Sequence, residues 1–164
     1  MPNEIKALYT TGMFNMTGLN ILLHSSVGYT GWMSDLVDNR SLRSQQAIAY
    51  IRLSQGTSPT SSRQANVFLI RGDTNDPMHI TDGGSFSAAA SPSGQGQIIV
   101  NNAPFLGVIA NKSAGAATND PVYGEFVIDQ PGPYFGLAIT HDFGSALNTT
   151  GNYARYTLIN PEIQ

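Results

Sequence analysis

The sequence predicts an all-β fold, an antiparallel β-sandwich of jelly-roll-like type with about eight strands and an extended N-terminal arm. Three observations lead there. No segment keeps apolar residues at i, i+3, i+4 and i+7 over a dozen positions, because Gly or Pro interrupts almost every window long enough for a helix. Short runs rich in Val, Ile, Phe, Tyr and Leu recur instead, each bounded by turn formers. Where alternation is clearest, at Val122–Asp129, Val122, Phe126 and Ile128 fall on one face and Glu125 and Asp129 on the other, as in a strand with one wet side.

In chain order, Met1–Met16 mixes Ile5, Leu8, Tyr9 and Phe14 with no clear period. A free tail rarely keeps so many apolar side chains, so residues 1–16 read as an arm that docks on a neighbouring chain, and residues 17–164 as one sandwich domain. Asn20–Ser25 is the first strand expected, and Trp32–Val37 a short second one. In Ala47–Leu53, Ala47, Ala49, Ile51 and Leu53 share one face while Ile48, Tyr50 and Arg52 share the other. A loop at Gly56–Thr60 then reads as a hairpin connection to Ala65–Arg71. Gly72–Gly96 is longer than an ordinary structureless loop and reads as a functional loop or as a solvated excursion containing a short strand. Gln97–Val100, Phe105–Ala110, Val122–Asp129, Tyr134–His141 and Tyr153–Ile159 complete the set. Gln130-Pro131-Gly132-Pro133 is too short for a crossover helix, so its flanking strands are expected to be antiparallel neighbours. Strand order, and the choice between jelly-roll and immunoglobulin-like topology, stay open at this level.

Composition narrows the function. The 164 residues suit one core. Charged residues make up 12% of the chain, about half the usual share, while 41% is hydrophobic, which excludes a wholly disordered chain. A net charge of -3, with Lys6 and Lys112 the only lysines, argues against a nucleic-acid partner. Without cysteine there is no disulfide, thiolate nucleophile or Cys-based zinc site. No apolar run approaches a membrane span, and the first residues lack the pattern of a secretory signal, so synthesis in the cytoplasm without signal-dependent export is expected. Neutral polar side chains in place of charge leave less to desolvate when a surface is buried against neighbours, which suits an assembly.

Catalytic constellations are absent: the chain has no Gly-x-Ser-x-Gly elbow, Walker loop, dinucleotide fingerprint or His-Glu-x-x-His, and no enzyme or cofactor is expected. His24, His79 and His141 are scattered; His141 with Asp142 is the nearest approach to a hydrolytic pair, and no nucleophile accompanies it. Asp73, Asn75 and Asp76 form the densest oxygen-ligand cluster and are the weak candidates for Ca²⁺, although the EF-hand spacing is missing and the same residues favour turns. No metal is otherwise expected. Tyr29, Trp32, Tyr123 and Tyr134 lie near strand ends, where aromatic rings stack on sugars or cap a core. The interface candidates are Ile5, Leu8, Tyr9, Phe14, Tyr29 and Trp32.

Ser34-Asp35-Leu36-Val37-Asp38-Asn39 leads into Ala47–Leu53, and Gln55-Gly56-Thr57-Ser58-Pro59-Thr60 separates that strand from Val67–Arg71. Gly132-Pro133-Tyr134-Phe135-Gly136-Leu137-Ala138-Ile139 is followed by Ala146-Leu147-Asn148 and Asn152-Tyr153-Ala154-Arg155-Tyr156. In this order the chain resembles the small β-sandwich proteins that decorate or cement the capsids of tailed bacteriophages, over roughly Gly18 to Pro161. The resemblance implies a non-enzymatic virion protein on the outer capsid surface. Its partner would be the major capsid protein, and it would form a homo-oligomer, a trimer before other states, with no membrane. None of these motifs is a capsid-contact signature. The alternative is a receptor- or glycan-binding module of a tail fibre or baseplate, contacting its target through Tyr29, Trp32 and the Gly72–Gly96 loop.

Overall fold

Alternation along the chain sets the layers. In the computed structural model, which describes residues 5–14, 30–56, 63–74, 85–86, 95–99, 102–111 and 120–163, every regular element is a strand. In chain order these are β1 (Ile5–Met13), β2 (Thr30–Met33), β3 (Val37–Asp38), β4 (Gln46–Ser54), β5 (Gln64–Gly72), β6 (Ser85–Phe86), β7 (Gln95–Ile99), β8 (Phe105–Ala110), β9 (Pro121–Asp129), β10 (Tyr134–His141) and β11 (Tyr153–Ile163). One antiparallel sheet has the order β1-β11-β4-β9. The other runs β6-β7-β2-β10-β5-β8, with β3 also paired to β10.

The pairings nest. β1 pairs with β11, β2 with β10, β4 with β9 and β5 with β8, so the first long strand meets the last, the second meets the next to last, and so on inward. A long antiparallel ribbon rolled up in this way is a jelly roll. The β6–β7 pair is an addition that extends the second sheet beyond β2.

Nesting corrects two sequence expectations. β4 and β5 belong to different sheets, so their connection is no hairpin. Likewise β9 pairs with β4 while β10 pairs with β5 and β2, so the short Gln130–Pro133 link crosses between layers. Stacked sheets lie only about 10 Å apart, a gap that a four-residue connection spans as easily as it closes a hairpin. Gln130 (φ 51) and Gly132 (φ 84) make the turn over the end of the sandwich.

The arm is corrected as well over Ile5–Phe14. β1 pairs in register with β11 of its own chain, from Ile5 opposite Ile163 to Met13 opposite Arg155. Phe14 follows at once: its N–H donates to Ala154 O at 3.0 Å, and its side chain is buried. The Phe14 ring meets the Phe135 and Tyr156 rings edge-on, at 6.0 and 5.1 Å between centroids. Asn20–Ser25 lies outside the described residues.

Between the sheets sit Ala47, Ala49, Ile51 and Leu53 of β4, Ala65, Val67 and Leu69 of β5, Phe135, Leu137 and Ile139 of β10, and Ala154 and Leu158 of β11, with Trp32 and Phe14. Each large side chain so buried contributes roughly 1.5–3 kcal/mol relative to exposure. β10 is buried on both faces because the segment after β2 covers its outer side, where Leu36, Ile70 and Tyr134 form a second small cluster. Ser34 ties that cover down, its Oγ accepting from Leu137 N and its N–H donating to Leu137 O, each at 2.9 Å.

Candidate functional site

With the inner faces filled, the outer face of the four-stranded sheet is where the chain departs from an ordinary soluble surface. The registers place its side chains in rows across the strands. Tyr153, Arg52 and Tyr123 form one row. Met13, Arg155, Tyr50 and Glu125 form the next, and Thr11, Thr157, Ile48 and Val127 the third. Tyr9, Ile159, Gln46 and Asp129 form the last, with Gln46 Nε2 donating to Asp129 Oδ1 at 2.9 Å. Tyr9, Met13, Tyr123 and Val127 are 63, 60, 64 and 58% exposed.

Arginine organises the centre of this face. The Arg155 guanidinium lies 4.8 Å from the Tyr153 ring centroid and that of Arg52 5.9 Å, so one aromatic ring carries two cations. A depression of about 530 Å³ opens here between Met13, Tyr50, Tyr123, Tyr153 and Arg155. Positive charge therefore sits on β4 and β11, and the carboxylates of Glu125 and Asp129 on the β9 margin. Tyr, Met and Arg are the residue types enriched where proteins dock, and the aromatic rings offer large rigid contact area at little entropic cost.

The residues singled out from sequence are dispersed. Leu8 and Tyr9 are exposed on opposite faces of β1, so of the two only Tyr9 joins the rows, and Ile5 stands opposite Ile163 at the far end of the same ladder. Phe14 and Trp32, expected as contacts, are core residues at 1 and 0% exposure. A ring sealed between two sheets cannot reach a partner. Tyr134 is also buried, with the Arg40 guanidinium 4.8 Å above its ring. Asp73 is exposed just after β5, while Asn75, Asp76 and Tyr29 lie outside the described residues. Most of the Gly72–Gly96 loop lies outside them too, and two short strands, Ser85–Phe86 and Gln95–Ile99, stand within or at its end.

His141 is fully buried, its ring 5.1 Å from that of Phe143, and its Nδ1 accepts from Phe143 N at 3.4 Å. The Asp142 carboxylate is ion-paired with Arg63. Missed at the sequence level were Met13, Tyr50, Val127, Tyr153 and Arg155. Val127 left a signal: it is the apolar residue on the Glu125 and Asp129 face of an otherwise alternating strand.

No protein-family model matches the chain, and no curated protein does. Among solved structures it is similar to CorA, described as a surface-associated copper-binding protein important in copper acquisition by Methylomicrobium album BG8. The likeness covers 94% of this chain and 93% of that one, at 9% identity and a TM-score of 0.34. At that level neither fold nor function carries over.

Proposed function

We propose that this chain is a structural subunit of a phage virion, a capsid decoration or cement protein that performs no chemical step and assembles through the outer face of its four-stranded sheet. The observation that supports this most directly is the exposed Tyr9, Met13, Tyr123 and Val127 surface over a core that is already complete. Exposed Tyr and Met side chains flanking arginine are the composition of surfaces where proteins dock. Jelly rolls serve in viral capsids and in lectins, which is support by fold-level analogy only.

The occupant assigned to the face is a second copy of this chain. Its charge pattern is self-complementary, since Arg52 and Arg155 of one copy can meet Glu125 and Asp129 of another while the tyrosines pack between them. Self-association at this face, repeated over a shell, would let weak contacts add through avidity.

Cryo-electron microscopy of the particle tests the assignment. Density for the chain on the outer surface of the head, with the four-stranded sheet in a contact between copies, is the expected result. Density only in the tail, or none in the particle, overturns it. Specific hits on a glycan array, lost on Tyr123→Ala, would instead make the sheet face a sugar platform.

A further inference from the structure

A second feature lies at the end of the sandwich, in the loops that continue past the Gln46 and Asp129 row. The loop after β3 and the Gln130–Pro133 link are sewn together by Asn39. Its buried amide Nδ2 donates to Ser44 O at 3.1 Å and to Gly132 O at 2.9 Å, and its Oδ1 accepts from Ser44 N at 2.9 Å. Backbone bonds from Asn39 N to Pro133 O and from Gln130 N to Gln45 O, both 2.8 Å, complete the seam. The two loops and the end of β5 enclose an open cleft of about 700 Å³ whose lining includes Arg40, Arg43, Arg71 and Ser44.

In a chain of net charge -3 with eight basic residues in all, three guanidiniums on one cleft are a concentration of positive charge. No Asp or Glu lines the cleft among the described residues. Arg40 is held in place by Asp38, with Nη2 2.8 Å from Oδ2. Arg43 makes no ion pair with any described residue, and it is one of only two described non-glycine residues with positive φ, at 50°. Its N–H donates to Asn39 O at 2.7 Å, so the seam keeps this left-handed conformation in place. Ser44, 97% buried by its 3% exposure, carries a solvent-shielded hydroxyl with no hydrogen-bond partner among the described residues. That hydroxyl is closed off from the cleft's solvent, so the donors the cleft offers are its guanidiniums.

We propose that this cleft binds a phosphate-class oxyanion, either free or as the phosphoryl group of a larger molecule. Guanidinium forks match the oxygen geometry of such groups, and positive charge gathered on one cleft suits a multiply charged anion better than a single carboxylate. Arg43 supplies the charge-assisted donors, while Arg40, whose Nε and Nη2 donate to Asp38, and Arg71 add positive charge around it.

Isothermal titration of the full chain with inorganic phosphate and with glucose 6-phosphate tests this, with acetate and glucose as controls at matched ionic strength. Saturable one-to-one binding of inorganic phosphate, or of glucose 6-phosphate alone if the larger molecule is the target, is expected, with neither control bound. Arg43→Gly, which suits a positive φ, should weaken binding by about tenfold or more without loss of fold, and Arg71→Gln should weaken it several-fold. Absence of saturable binding for both phosphates, or wild-type affinity in both variants, overturns the proposal. The cleft residues belong to none of the sheet-face rows, so this outcome is independent of the assembly reading.

Discussion

Gly12 of β1 stands directly opposite Tyr156 of β11, and the Tyr156 ring lies over the position that a Cβ at Gly12 would occupy. The glycine is required by that close approach. The ring it admits packs on Phe14 and Phe135, at 5.1 and 5.8 Å between centroids, so β1 is tied into the core of its own sandwich through a residue with no side chain. Aromatic cover of a glycine on an edge strand is a recognised device for holding such a strand.

Gly12→Val should therefore destabilise the monomer by about 1–3 kcal/mol, since the inserted methyls overlap a ring that has little room to retreat. Urea unfolding measures it. Combining it with Tyr156→Ala should cost less than the sum of the two single changes, because the overlap disappears with the ring. An N-terminal segment that left the sandwich would show no effect of Gly12→Val on monomer stability.

Trp32 is the chain's single tryptophan and is completely buried. Its fluorescence should be blue-shifted and poorly quenched by acrylamide in the native state, moving red on unfolding. Trp32→Ala should cost about 3–5 kcal/mol as a core cavity. Any loss of binding in that variant should track loss of fold, measured by circular dichroism on the same samples.

Hydrogen bonds from the Arg40 side chain and backbone N–H hold the Asp38 carboxyl down, from 3.8 to about 2. A carboxylate with a depressed folded value stabilises the fold above its unfolded value, and that contribution is lost as pH falls through the folded one. The window here runs from about pH 4 down to about pH 2. Both partners are exposed, so the effect on stability is small. A carboxyl ¹³C titration should place the Asp38 midpoint near 2, and Arg40→Gln should return it toward the ordinary aspartate range.

Strand positions were legible in the sequence because alternation and turn formers are local. Phe105–Ala110 and Tyr134–His141 coincide with the expected runs, and the expected runs at Ala47–Leu53 and Val122–Asp129 fall inside the observed strands. Pairing was not legible, since Gln130-Pro131-Gly132-Pro133 serves equally to close a hairpin or to cross between sheets. β1 was missed because its pattern runs against expectation: its core-facing positions include Thr10 and Gly12, while Tyr9 and Met13 point outward. The outer face of the four-stranded sheet was hidden because its rows run across strands distant in sequence.

Sedimentation velocity over a wide concentration range, on the wild type and on the Tyr123→Ser/Val127→Asp double variant, tests the sheet-face contact most directly. The wild type should show concentration-dependent self-association that the double variant loses, with unfolding free energy unchanged within about 0.5 kcal/mol per site because both positions are exposed. A wild type that stays monomeric at every concentration, or a double variant that associates as strongly as the wild type, would contradict it.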